Sequence, residues 1–373
     1  MATNWTARRL ELTAVRCWPS LELDFSDGLV VITGPNGSGK TSIVEALVFG
    51  CLGVSPRTSR DLEAISNGAA AMRVELDIDG PVGRMRRAVG LAPGQARRLS
   101  IDGDPVRGLG PWRAAGSVLV FLPDELRAVK GPPAARRRHL DRLLEGLDQG
   151  FAETLGRYQE ALAQRNALLR RIRAGLTGES ALDPWDQQLV SLGAVICLAR
   201  RQALRRLEPS VAGHLARLGG PGAVRLAIEA SPSVLAEVAD DQIKAVFEGE
   251  TANRRERDIR AAQTLAGPHR DDVLIEADGK DLRRLGSQGE QRIAVLALLL
   301  AQRDDLSQSR AMPILVLDDV LSELDPERRE RLLDALRSGG QAIVTSADPG
   351  TVELARAQAA QLIRVDAGRC LGA

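Results

Sequence analysis

At 373 residues the chain is long enough to bury a sizeable core and to divide into two domains. Its 50 basic and 49 acidic residues leave a formal charge of +1, which excludes a global positive field, so any nucleic-acid surface has to be local. Aromatic residues make up 3% of it, too few for base stacking to be the main mode of binding.

In chain order, "RLELTAVR" and "LELDFSDG" alternate as strands do, and "LVVIT" reads as a buried strand running into a Gly-rich loop. "SIVEALVFGCLG" follows with helical spacing, which puts Lys40 and Thr41 at a strand-to-helix junction. "MRVELDIDG", "GRMRRAVG" and "RRLSIDGDPV" predict short strands with Asp-Gly turns, a small antiparallel sheet beside a parallel one. Beyond "GPPAARRRHLD" the pattern turns to long helices. One stretch runs from 139 to 176, interrupted only by glycine, and a second covers roughly 184 to 219. Joined by "TGESALD", they predict an antiparallel pair, either an ordinary helical subdomain or an arm projecting from the core. Residues 224–231 and 273–276 read as strands flanking the helical "RRERDIRAAQTLAG". The end is α/β in character, with "QRIAVLALLLAQRDD" and "DPERRERLLDALRSG" as helices and "MPILVLDDV" and "QAIVTSA" as strands. The Gly-rich loop and the acidic strand end are expected in one sheet, with the helical region inserted between them.

Gly34, Pro35, Asn36, Gly37, Ser38, Gly39, Lys40 and Thr41 spell GxxxxGK[ST] between a strand and a helix. In that setting backbone N–H groups turn toward phosphate oxygens, the Lys40 ammonium reaches the β and γ phosphates of ATP, and the Thr41 hydroxyl ligates Mg²⁺. Four apolar residues end at Asp318, a second candidate Mg²⁺ carboxylate, and Asp319 is the candidate to polarise the attacking water. Ser287, Gln288, Gly289 and Glu290 open "SQGEQR" just before a helix. Two readings stay open there, an ordinary helix cap and a phosphate cap that acts across a two-fold interface on ATP bound by another copy.

The four cysteines, Cys17, Cys51, Cys197 and Cys370, make neither a disulfide framework nor a CxxC pair, and no apolar run approaches twenty residues; the expectation is a cytoplasmic protein. The three histidines, His139, His214 and His269, stand at no metal-ligand spacing.

"GPNGSGKTSIVEAL", "PRTSRD" at 56–61, "GPPAARRRHLD" at 131–141, "YQEALAQRNALL" at 158–169, "GPHRDD" at 267–272, "SQGEQR" and "LDDVLSELD" at 317–325 follow one another along most of the chain. Together they resemble the ATPase heads of the SMC-like ABC group and, within it, the RecF family of DNA replication and repair proteins. The resemblance implies an α/β P-loop head of mixed parallel and antiparallel sheets, formed by residues 1–120 and 255–373, with a mainly helical arm over 121–254. It also implies an ATP-dependent homodimer at gapped or stalled-fork DNA, weak DNA-stimulated ATP hydrolysis, and partnership with RecR and RecO in helping RecA to load. By position, Ser287 to Glu290 would be a signature loop acting in trans, and Ser322 and Asp325 of "SELD" a loop crossing the dimer interface. The family pattern is departed from at "IVTSAD", where Thr345 or Ser346 replaces the γ-phosphate-sensing His of many ABC ATPases, and at Cys17 and Trp18, where an Asn-Tyr pair is more usual.

Candidate DNA contacts are Arg136, Arg137 and Arg138 of "RRRH", the run at 84–87, Arg97 with Arg98, and "NRRER" at 253–257, each of which also reads as a solvated face. His269 and Arg270 of "GPHRDD" read as lining the nucleotide site or the joint of head and arm, and Asp271 and Asp272 as capping a turn. Competing readings are the cytoplasmic ATPase subunit of a membrane transporter, an SMC-like structural module with negligible turnover, and a P-loop kinase.

Overall fold

The computed structural model describes residues 4–58, 60–114, 116–337, 339–348, 350–366 and 369–372, so Ser59 of "PRTSRD" lies outside the described residues. The chain opens with β1 (Thr6–Val15), β2 (Trp18–Asp24), β3 (Leu29–Thr33) and α1 (Lys40–Leu52). Next come β4 (Met72–Gly80), β5 (Gly83–Leu91), β6 (Arg98–Ile101), β7 (Asp104–Pro105), α2 (Leu109–Ala114) and β8 (Val118–Phe121). A helical stretch follows, with α3 (Pro133–Leu147), α4 (Gln149–Arg173), α5 (Asp183–Arg217), β9 (Val224–Glu229), α6 (Val234–Glu237) and α7 (Ile243–Ala261). The last part comprises β10 (Asp272–Ala277), β11 (Lys280–Asp281), α8 (Leu282–Leu285), α9 (Gln288–Ser309), β12 (Ile314–Leu317), α10 (Pro326–Arg337), β13 (Ala342–Ser346), α11 (Gly350–Gln358), β14 (Gln361–Asp366) and β15 (Arg369–Gly372).

Two compact units result. The first comprises the chain up to Glu125, Arg217–Gly219 and the chain from Leu299 onward; the second comprises Leu126–Ala216 and Gly220–Leu298. This division differs from the expected head and arm in residues 255–298, which belong to the second unit, and in residues 121–125 and 217–219, which belong to the first.

In the first unit, one sheet is antiparallel in the order β2-β1-β4-β5-β6-β7. The other runs β15-β14-β3-β13-β12-β8 and is parallel except at its β15 edge. Leu29–Thr33 is buried at every position because β3 has β13 on one side and β14 on the other, the place for an unbroken apolar strand. Helix α1 packs against strands of both sheets and is buried nearly all round, so its sequence shows an apolar run with no polar face. The Gln341 side chain, 2% exposed, joins the two sheets by accepting from the Ala7 N–H at 2.8 Å and donating to the Ala7 carbonyl at 2.9 Å.

In the second unit, the expected helix from 139 to 176 is broken at Asp148. That residue is extended (φ −140°, ψ 114°), and its carboxylate accepts from the Gly150 N–H at 2.8 Å, an N-cap that starts α4 afresh. Helices α4 and α5 are antiparallel, since Arg165 bonds Asp186 while a Cβ at Gly193 would lie 3.2 Å from Tyr158. Buried ion pairs fix this bundle. Arg165, fully buried, donates to Asp186, Asp258 and Thr264, and Arg200 donates to both carboxylate oxygens of Asp141 at 2.8 Å. Removing one partner of such a pair costs about 3–5 kcal/mol, because the other charge is left buried and alone.

Candidate nucleotide site

The loop from Gly34 to Gly39 joins the buried end of β3 to the start of α1, and its close approaches exclude side chains. A Cβ at Gly34 would lie 2.0 Å from the Val365 carbonyl oxygen, and Gly39, at φ +106°, would bring one within 2.8 Å of the Trp18 indole nitrogen. Trp18, 1% exposed, donates its indole N–H to the Gly39 carbonyl at 3.1 Å. The departure noted in the sequence is therefore a buttress under the loop, a role that only the buried β1–β2 turn reveals.

Lys40 is 6% exposed and folds its ammonium back onto the carbonyls of Gly34 (2.8 Å) and Pro35 (2.9 Å). Burial lowers its pKa from the ordinary 10.5, and the carboxylates of Asp319 and Asp318 act in the opposite sense. Gly39 caps α1 without a side-chain hydrogen bond, which leaves the first N–H groups of the helix to an anion.

Asp318 follows the last residue of β12, separated from β3 only by β13. The Thr41 hydroxyl lies 3.2 Å from its Oδ1, and the Thr345 hydroxyl donates to the same oxygen at 2.7 Å. Burial pushes the Asp318 carboxyl up, and the two threonine hydrogen bonds oppose that. Asp319 adopts φ +52°, a left-handed conformation that Asp tolerates better than most residues, and its N–H donates to Thr345 Oγ1 at 2.9 Å. Thr345 thus ties both acids to β13. Ser346 is equally committed, paired with Thr351 at 2.9 Å and accepting from the Asp348 N–H. Both hydroxyls, at the strand end where many ABC ATPases carry a His, are buried and already engaged within the protein.

A cavity of about 620 Å³ opens here, lined by Asn36, Lys40, Thr41 and Asp319 and also by Arg16 and Arg57. Both arginines bond Glu45, 1% exposed, which also accepts from the Ser55 hydroxyl at 2.6 Å. Glu45 escaped the sequence reading, although a lone carboxylate inside the apolar run "SIVEALVF" was the available signal. The donor set fits MgATP: an ammonium, open helix N–H groups and a hydroxyl beside a carboxylate. Two buried polar atoms, Ser38 Oγ and Asp319 Oδ1, have no partner among the described residues.

In the second unit, Ser287 and Glu290 form a reciprocal cap on α9. The Ser287 N–H donates to Glu290 Oε2 at 2.7 Å, and the Glu290 N–H donates to Ser287 Oγ at 3.2 Å. Gln288 is exposed and Gly289 half-buried. In the first unit Ser322 and Asp325 are exposed; the Ser322 hydroxyl donates to the Asp319 carbonyl at 2.9 Å, and Asp325 accepts from the Arg328 N–H at 2.9 Å.

The arginine run at 136–138 needs correction as a DNA surface. Arg136 is 3% exposed and forks onto Asp272, with 2.7 Å from Nε to Oδ1, while Arg137 is half-buried and donates to the Asp271 carbonyl. Only Arg138 is exposed and without an ion pair among the described residues. Asp271 and Asp272, read as turn caps, are both buried; Asp272 pairs with Arg136, while the Asp271 carboxylate lies 3.7 Å from Arg200. His269 is held by Tyr158 of α4, in the interior of the second unit.

The comparisons with known proteins fall in line with this geometry. Residues 9–89 match the family model of an AAA domain. A solved structure of the recombination mediator protein RecF-ATP in the RecFOR pathway superposes with a TM-score of 0.86 at 24% identity, covering 100% of this chain and 99% of that one. The Smc head domain of Pyrococcus furiosus, with an extended coiled coil and bound ScpA domain, matches with a TM-score of 0.61 at 17% identity over 99% and 96% of the two chains, which places the fold among ABC-type ATPase heads. The DNA replication and repair protein RecF of Symbiobacterium thermophilum is 36% identical over 343 residues, 91% of this chain and 90% of its own length, and the chain accordingly belongs to the RecF family.

Proposed function

We propose that the chain is an ATP-dependent DNA-binding protein of recombinational repair. It dimerises around ATP at gapped or stalled-fork DNA, hydrolyses ATP slowly, and works in the cytoplasm with RecR and RecO to help RecA load. The observation that carries this reading is the convergence of Lys40, Thr41 and Asp319 on one cavity, with Asp318 behind it bonded to Thr41, in a chain of the RecF family.

On this reading Lys40 exchanges the two loop carbonyls for β and γ phosphate oxygens, and the α1 N–H groups cradle the phosphates. Thr41 and Asp318 would hold Mg²⁺, which supplies charge neutralisation at the transferring phosphoryl group. Asp319, whose Oδ1 lacks a partner among the described residues, orients the attacking water. Slow turnover is supported by Asp in place of the usual Glu and by the engagement of Thr345 and Ser346 within the protein.

The capping box at Ser287 is compatible with a role in trans, since a capped helix start presents its remaining N–H groups outward. Ser287→Arg then leaves the affinity of the isolated chain for a fluorescent ATP analogue within about twofold and abolishes ATP-dependent dimerisation. Equal loss of nucleotide binding would place Ser287 in its own chain's site and end the trans assignment.

A further inference from the structure

An arginine binds a polyanion readily only where no carboxylate of its own chain already holds it. Most basic runs that stand out in the sequence are neutralised in place. Arg84 faces Asp77 and Asp79, Arg86 pairs with Glu11 and Glu75, and Arg97 with Asp61. Arg136 pairs with Asp272, Arg254 with Glu250, and Arg255 with Asp183. Arg87 is fully buried over the Trp112 ring.

Arg170, Arg171 and Arg173 differ. They close α4, all three are exposed, and none has an ion pair among the described residues. No acidic residue occurs between Glu160 and Glu179. At about 100° per residue the three fan across about 160° of the helix end, so they point at backbone phosphates from several sides.

The display is rigid. Gly175, at φ +70°, ends the helix in a Schellman motif: its own N–H donates to the Ile172 carbonyl, and the Leu176 N–H donates to the Arg171 carbonyl at 2.9 Å. Below the tip, Arg255 bonds the Glu179 carbonyl and Asp183, and Arg165 bonds Asp186 and Asp258. Leu176, 70% exposed, stands in the same turn, where nothing in the bundle covers it. The helix dipole accounts for cations in a last turn. It does not account for three unpaired ones fanned about an exposed leucine on a braced helix end.

We propose that this end of α4 is a contact surface for the phosphate backbone of duplex DNA, held without reading sequence. The inference rests on the DNA-repair function above and moves the contact away from residues 136–138. Unpaired arginines lose no internal ion pair on binding, and each phosphate they neutralise releases counterions.

The test is fluorescence anisotropy of the full chain with a random duplex, with MgATP and without nucleotide, titrated across NaCl concentrations. The wild-type protein is compared with a triple Arg170→Gln, Arg171→Gln, Arg173→Gln variant and with a control carrying Arg84→Gln and Arg86→Gln. The slope of log affinity against log salt should fall by about 2 to 3 in the triple variant and stay unchanged in the control, at about 0.9 per lost phosphate contact. Binding of the ATP analogue should be unaffected. Should the triple variant unfold, Arg171→Gln alone carries the test, with an expected loss of about 0.9 in slope. A wild-type chain that binds duplex with a slope the variants share overturns the tip contact and leaves the repair function standing. A wild-type chain that binds no duplex in either nucleotide state overturns the DNA reading and this inference with it.

Discussion

His269 shows how a single side chain records its surroundings. Its Nε2–H donates to the Thr264 carbonyl at 3.2 Å, which leaves Nδ1 to accept from the Tyr158 hydroxyl at 2.8 Å, and burial pushes its pKa down to about 4. Asp271, accepting from the Ser231 N–H at 2.9 Å, is pushed up to about 6 by burial. The two oppose each other in acid. His269 has its pKa below the unfolded value of about 6.5, so its contribution to stability is present above pH 6.5 and is lost as pH falls toward 4. Asp271 has its pKa above its ordinary 3.8, so its contribution is present below pH 3.8 and is lost as pH rises through 6. Urea denaturation at pH 4.5 and 6.5 separates them. His269→Gln should be less stable at pH 6.5 than at 4.5, and Asp271→Asn should show the reverse; parallel profiles would show that neither group sets the pH dependence. Sequence alone left "GPHRDD" ambiguous because Tyr158 lies 111 residues from His269.

Among the elements, the ends of two strands hold the acidic pair and the hydroxyl that ties it down. Strands β12 and β13 are parallel neighbours, and one buried hydroxyl, Thr345, accepts from the Asp319 N–H and donates to Asp318. Thr345→Val removes that hydroxyl at nearly constant volume and orphans both partners. The expected cost is about 1–3 kcal/mol in stability, read as a lowered Tm, with ATP turnover falling further than nucleotide affinity. Thr345→Ser keeps the hydroxyl and should retain turnover; equal turnover in the Val variant would remove Thr345 from the site. The Gly-rich loop, the helix after it and the acidic strand end were legible because phosphate chemistry demands those residue types at fixed places. The break at Asp148 was not, since a cap inside a continuous helical pattern differs from a solvated Asp only in its backbone angles. The arginine runs misled for a related reason: the carboxylate that takes Arg136 out of the surface lies 136 residues away.

At the scale of the whole molecule, the chain's two ends build one parallel sheet, with β3 from the N-terminal part beside β13 and β14 from the C-terminal part. The Gly-rich loop and the acidic strand end therefore meet in one sheet, as expected, although the alternating and apolar patterns could not show where the compact units divide. The near-neutral charge agrees with a molecule in which many arginines are paired with internal carboxylates.

In the proposed function, ATP assembles the DNA-binding state from two copies. The most direct measurement is sedimentation velocity of the Asp319→Asn variant, chosen to slow hydrolysis, mixed with a gapped duplex in the presence and absence of MgATP. The expected result is a monomer without nucleotide and, with MgATP, a dimer that sediments with the DNA. A chain that binds MgATP yet stays monomeric and sediments apart from the DNA would contradict it.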